Sequence, residues 1–236
     1  AGSRSEALEA IENALSEDPS QAGDWLSYAN LLFEEDETSK ALEAADKCLE
    51  IDRQSGDAWA LKAKLLAPKT NRLKDALKSA IHAVALDAGG VDLILLKADL
   101  LLTEGSASAA EESLVKALEK DKMNGELRAR IATRNLLDGR INDAQKLLDE
   151  TPVGIDHALL HVVEGRLHLA NADRTRDGTG ETDVTLLSVA ISAFENALKL
   201  NRELGVAWLG MARTNRLLKN IDSAEEALAR ASREEE

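Results

Sequence analysis

Small residues recur at two fixed places along an otherwise apolar and polar chain. The first pattern reads A-x3-[apolar or small]-x2-[small]. It is met at Ala7/Ile11/Ala14, Ala41/Ala45/Cys48, Ala76/Ala80/Ala83, Ala110/Leu114/Ala117, Ala144/Leu148/Thr151, Ala190/Phe194/Ala197 and Ala224/Leu228/Ala231. Successive starts lie 34, 35, 34, 34, 46 and 34 residues apart. A second column, Ala29, Ala63, Ala98, Ala132, Gly165 and Ala212, advances by 34, 35, 34, 33 and 47. Two columns with one period and one shared long step mark an internal repeat. Turn-forming residues fall between them: Glu35-Asp36-Glu37-Thr38, Pro68-Lys69-Thr70-Asn71, Glu104-Gly105-Ser106, Asp138-Gly139 and Lys219-Asn220. The pattern predicts a leading helix over 4–16 and six helical hairpins. These lie at about 22–52, 56–87, 91–121, 125–150, 157–201 and 205–232, the fifth with an insertion over 170–185.

Small columns let two helices approach closely, as ridges fit into grooves. Each hairpin then leaves one apolar face uncovered, so units stack on their neighbours. Composition agrees with an all-α chain. Of 236 residues 44% are hydrophobic, only 3% are aromatic, three are proline, and the strong helix formers Ala, Leu, Glu and Lys abound.

The three tryptophans, Trp25, Trp59 and Trp208, each sit four residues before a small residue of the second column. Trp25-x2-Tyr28-Ala29-x2-Leu32…Ala41 and Trp208-x2-Met211-Ala212…Ala224 resemble the tetratricopeptide unit, W-x2-L-G-x2-Y…A-x3-F…P. Pro19 falls where that unit ends in proline, whereas Arg53, Ala88, Lys122 and Arg202 stand there in later units. The resemblance covers essentially the whole chain. It implies an α-solenoid, a right-handed superhelix of antiparallel hairpins, that presents the first helix of each hairpin to a protein partner. It also implies a scaffold rather than an enzyme. Arrays of this look occur in bacterial secretion, pilus and exopolysaccharide machines, so the alternative is a structural or assembly role. A leading helix without its mate and a final hairpin without a cap suggest a piece of a longer array or self-association through the end helices.

Charge narrows the partners. Acidic residues number 43 against 29 basic, a formal charge of −14. That balance argues against a nucleic-acid backbone, which needs clustered Lys and Arg. No apolar run approaches membrane-spanning length and no signal peptide is visible, which leaves the compartment open between cytoplasm and bacterial periplasm. Cys48, alone, excludes an internal disulfide and occupies a column otherwise held by Ala, as a small core residue does. No catalytic constellation and no cofactor motif stands out.

Two constellations have ligand chemistry. His157, His161, Glu164 and His168 share one helix face, a spacing that suits zinc, although His161 and His168 fill the slots of Trp25 and Leu32. Asp173-x-Thr175-x-Asp177-Gly178-Thr179-x-Glu181 resembles the start of an EF-hand loop. Gly180 stands where an aliphatic residue belongs, however, and Val184 replaces the closing Glu. The default readings are interhelix packing for the first and a polar loop for the second.

The partner groove is expected from the first helices at spacing i, i+4, i+7: Leu26/Asn30/Phe33, Ala60/Lys64/Ala67, Leu95/Asp99/Leu102, Ala129/Thr133/Leu136, Val162/Arg166/Leu169 and Leu209/Arg213/Arg216. Its middle column, Asn30, Lys64, Asp99, Thr133, Arg166 and Arg213, is polar and carries three basic residues to one acidic. Asn30 and Lys64 resemble the carboxylate clamp of the family's co-chaperones, but Asp99 puts a negative charge where the third helix should supply a positive one. The pattern favours a peptide with apolar anchors, Phe33, Leu95, Leu102, Leu136 and Leu169, and some acidic character, oriented by Arg166 and Arg213.

Overall fold

The computed structural model describes the backbone of residues 2–233. Among the described residues there are thirteen α-helices and no strand. They are α1 (Gly2–Glu17), α2 (Ala22–Glu34), α3 (Thr38–Ile51), α4 (Gly56–Leu66), α5 (Leu73–Ala85), α6 (Gly90–Glu104) and α7 (Ala107–Lys120). They continue with α8 (Gly125–Leu137), α9 (Ile141–Asp149), α10 (Ala158–Thr179), α11 (Val184–Leu200), α12 (Gly205–Leu217) and α13 (Ile221–Arg233). We call the even-numbered members A helices and the odd-numbered members B helices. The chain forms two compact units, Ala1–Leu114 and Val115–Glu236, with the boundary inside α7.

In the first unit each helix from α1 to α5 packs on the next, and α2 also touches α4. In the second unit α8 pairs with α9, α10 with α11, and α12 with α13, while α10 lies against α8 and touches α12. Each unit is thus a stack of helical hairpins, the packing of an α-solenoid. The small columns are its contact lines: Ala29, Ala41, Ala63, Ala76, Ala132, Ala144 and Ala190 are all fully buried.

Local chemistry repeats with the period. Four A-to-B turns place one residue in the left-handed region, Asp36 (φ 58°), Gly105 (90°), Gly139 (74°) and Lys219 (64°). The next amide then reaches back to close the A helix: Glu37 to the Leu32 carbonyl at 2.9 Å, Ser106 to Leu101 at 2.8 Å, Arg140 to Asn135 at 2.8 Å and Asn220 to Asn215 at 2.9 Å. The tryptophans form a second recurring bond. Each indole N–H donates to the carbonyl six residues upstream, Trp25 to Pro19 at 2.8 Å, Trp59 to Arg53 at 3.0 Å and Trp208 to Arg202 at 2.9 Å. A large ring thus packs between hairpins while its one polar atom is satisfied and ties down the connecting turn.

The fifth hairpin departs from this scheme. Phe194 is fully buried in a slot that holds Ala45 and Ala80 elsewhere. The space comes from two glycines. A Cβ on Gly165 would lie 2.7 Å from the ring and one on Gly210 2.4 Å. The residue expected as a polar loop over 170–185 is, in addition, mostly helix. Helix α10 continues to Thr179, Gly180 (φ 77°) ends it, and Asp183 caps α11 by accepting from the Thr185 and Leu186 amides at 3.0 and 3.1 Å. This corrects the loop expectation, and the physical reason is burial. Ala172 and Leu187 join the core with Phe194, and Thr175 and Thr179 bond back to carbonyls one turn earlier. Asp and Gly in sequence looked like turn chemistry, but the apolar contacts on either side sustain two further helical turns.

Gly210→Ala should therefore destabilise the protein by about 1–3 kcal/mol in urea unfolding, the usual cost of overpacking. Adding Phe194→Leu should recover most of that loss. Strictly additive effects of the two changes would refute the wedge.

Candidate partner-binding ridge

An A helix inside a stack is flanked on two sides. On α10, Leu160 and Val163 pack with Ala129 and Ala132 of α8. Val162, Leu169 and Ala172 pack with Leu187, Phe194 and Ala207 of α11 and α12. Between these stripes runs a ridge carrying Arg166 and, seven residues on, Asp173. Residues flanking the ridge are core. Leu95 and Leu169, expected as partner anchors, and Val162, Ala60 and Ala129, expected to line the groove, are buried and offer no surface. That is a correction: the i, i+4, i+7 rule treats one whole face as open, whereas neighbours take both of its borders.

What stays open is more selective. In the first unit Phe33 is 41% exposed, Leu26 and Leu102 are half-buried, and Asn30, Lys64 and Asp99 are exposed. The Asn30 amide donates to the Leu26 carbonyl at 3.0 Å. In the second unit Leu209 is 46% exposed, Thr133 and Leu136 are half-buried, and Arg213 and Arg216 are exposed. Leu137, on α8 beside Leu136, is 74% exposed and was missed. It lies one residue outside the spacing rule, and no pattern in the chain marks it.

Arg166 is the unusual member. It is half-buried, and among the described residues it has no hydrogen-bond or ion-pair partner. Burial alone pulls its guanidinium below the usual arginine range. Arg213, by contrast, donates to Asp173 Oδ2 at 2.6 Å, and Arg176 donates to Asp173 Oδ1 at 3.1 Å. A second buried arginine shows the ordinary solution. Arg128 donates to the Leu147 and Lys122 carbonyls at 3.0 and 3.3 Å, closing the end of α9 and the turn before α8.

The two metal candidates resolve into other roles. Asp173 and Asp177 stand on successive turns of α10, a regular helix that cannot wrap a cation as a loop does. His157 caps α10, its Nδ1 accepting from the Leu159 amide at 3.3 Å. In the tryptophan slot, His161 Nε2 lies 2.8 Å from Asp156 Oδ1 and its Nδ1 3.4 Å from Glu164 Oε2. An imidazole–carboxylate pair thus ties the turn where an indole does so elsewhere. His168 Nδ1 is buried without a partner, and a cavity of about 250 Å³ opens beside it. Among the described residues no three His, Cys, Asp or Glu side chains converge as metal ligands. Cys48 is buried, which raises its thiol pKa, as suits a core position. On the other side of the hairpins, clefts of about 690 and 1040 Å³ lie at Trp59 and Trp208. Their rings are already covered by His82 and Arg230, each at 4.8 Å. None of the described helices is long and apolar enough to cross a membrane.

The tetratricopeptide repeat family model matches residues 1–65. Residues 1–65 thus carry the tetratricopeptide repeat, and the chain as a whole has the fold of tetratricopeptide proteins. Solved structures with the same fold include YrrB, described as a tetratricopeptide protein with an unusual peptide-binding site. It is 20% identical, covers 85% of this chain and 96% of its own, and has a TM-score of 0.61. PilW, a type IV pilus biogenesis factor, is 19% identical over 85% of this chain and 87% of its own, with a TM-score of 0.60. The human IFIT1 dimer with m7Gppp-AAAA is 20% identical over 93% of this chain, at a TM-score of 0.62. The chain described here spans about half (53%) of the IFIT1 chain. A search of curated protein sequences found no match.

An uncompensated, half-buried charge costs stability. Replacing Arg166 with Met should raise unfolding stability by about 1 kcal/mol. Thermal or urea unfolding checks it; a clear loss of stability would mean that the guanidinium is held by the fold after all.

Proposed function

We propose that the chain is a non-catalytic scaffold that holds a segment of a partner protein along its A-helix ridges. The observation that carries this reading is Arg166, a cation kept half-buried and unpaired at a cost to the fold. Groups that lower stability without a local benefit concentrate at functional sites. In its own unit the open apolar Leu137 and Leu209 accompany it, with Leu136 half-open; the A helices of the first unit carry their own such set, Phe33 open with Leu26 and Leu102 half-open. Thr133, Arg213 and Arg216 supply the polar contacts in the second unit, and Asn30, Lys64 and Asp99 those in the first. The segment is extended or helical, apolar at its anchors and acidic between them. The peptide-binding site described for YrrB supports the reading at the level of the fold.

A photo-crosslinking residue placed at Leu209 or Phe33 should capture the partner in cells, and one at the exposed Ile81 of α5 should not. Capture only from Ile81 would move the site to the B helices. With the captured segment in hand, Arg166→Glu with Arg213→Glu should weaken binding by about 1–3 kcal/mol and flatten its salt dependence. Unchanged affinity with intact helicity would refute the ridge.

A second reading, an assembly element, is favoured by one residue. Leu228 on α13 fills the slot that is buried as Ala45, Ala80, Leu114 and Phe194, yet it is 50% exposed. The likeness to PilW, a pilus biogenesis factor, supports this reading at the level of the fold. Sedimentation over a concentration series should show association that Leu228→Glu abolishes; a monomer at every concentration would reject it.

A further inference from the structure

Asp173 reaches the ridge because α10 runs on to Thr179, further than any other A helix. It stands seven residues after Arg166, two turns along one face, roughly 10 Å at the rise of a helix. Its two oxygens hold two arginines: Oδ2 accepts from Arg213 on α12 at 2.6 Å, and Oδ1 accepts from Arg176 on α10 at 3.1 Å. Arg166 and Arg213 therefore differ. Arg213 already carries a carboxylate, and Arg166 carries none. The geometry of the Arg213 contact is what an acidic side chain of a bound segment would itself supply.

We propose that Asp173 is an internal stand-in for a carboxylate of the partner, holding Arg213 in the free protein and yielding it to an acidic segment that engages Arg166. The inference rests on the ridge being the binding face. Three observations support it. The Arg213 side chain is 57% exposed, so an incoming acid reaches it without rearranging the core. An exposed pair of this kind is weak, so its exchange costs little. Release does not strand Asp173, because Arg176 remains bonded to its other oxygen. Asp173 thus works as a threshold. A lone anion gains little from Arg213, whereas a segment that also places an acid on Arg166 gains a partnered charge at both positions.

The test uses the whole chain and a fluorescein-labelled peptide of alternating glutamate and leucine, with binding read by fluorescence anisotropy. Asp173→Asn should tighten binding by roughly two- to fivefold, the worth of an exposed ion pair. Arg213→Gln in the same background should erase the gain. Asp57→Asn, on α4 of the other unit, makes the same change in net charge and should leave affinity where it was. An affinity that Asp173→Asn leaves unchanged or lowers, with helicity intact by circular dichroism, overturns the inference. An equal gain from Asp57→Asn, or no measurable binding by either wild type or Asp173→Asn, does so too. If Arg166→Gln leaves wild-type affinity intact, the ridge reading itself fails. If Arg166→Gln weakens binding but Asp173→Asn does not strengthen it, only the stand-in fails.

Discussion

Close approach of helices at alanine is the constraint from which the rest of this structure follows. A hairpin packs on the next only where a residue no larger than a methyl group lies between backbones, so the chain must supply one at each crossing. Once it does, everything else is placed. Large side chains fill the space on either side, indoles bridge to the preceding turn, and a single residue in the left-handed region reverses the chain. The fifth hairpin shows the constraint from the other direction. A phenylalanine in an alanine slot is accommodated only because Gly165 and Gly210 lose their Cβ atoms to it.

The same packing decides what is left for function. An A helix touches neighbours along two stripes, so only the narrow ridge between them meets solvent. Here that ridge carries a cation without a counterion in a protein with a formal charge of −14. Acidic side chains are plentiful, and other arginines find them: Arg134 pairs with Asp138 at 2.6 Å and Arg230 with Glu226 at 2.9 Å. Arg166 goes unpaired because its flanks are the buried Val162, Leu169 and Val163, which leave no position from which an acid of the same helix can reach it.

The hairpins and their crossing lines were legible in the sequence because alanine columns are a steric requirement, and steric requirements repeat. Of the expected groove positions, the middle column from Asn30 to Arg213 does remain open or half-open, for which helical spacing suffices. Leu95, Val162 and Leu169 were misread because their burial depends on which neighbours flank the helix, a property of the stack and not of the helix. The stretch over 170–179 was misread for a related reason. Asp173, Asp177 and Gly178 are poor helix formers taken locally, and Ala172 against Leu187 decides the outcome through a contact with the following helix. Leu137 left no signal at all, since an exposed leucine at a helix end is common on any surface.

Where the repeat is most regular, polar atoms are satisfied by the backbone. Indole N–H groups meet carbonyls, and turn amides meet the last turn of the helix before them. Where it is least regular, in the fifth hairpin, side-chain charges take over. His161 pairs with Asp156 in place of an indole, Asp173 divides itself between Arg176 and Arg213, and Arg166 has nothing. Backbone bonds are fixed by the fold and offer a partner little to exchange. Side-chain pairs near the surface are weak and can be traded one for another at small cost. On the proposed reading the irregular hairpin is therefore the part best suited to recognise something outside it, and the helical extension is what brings Asp173 to the ridge.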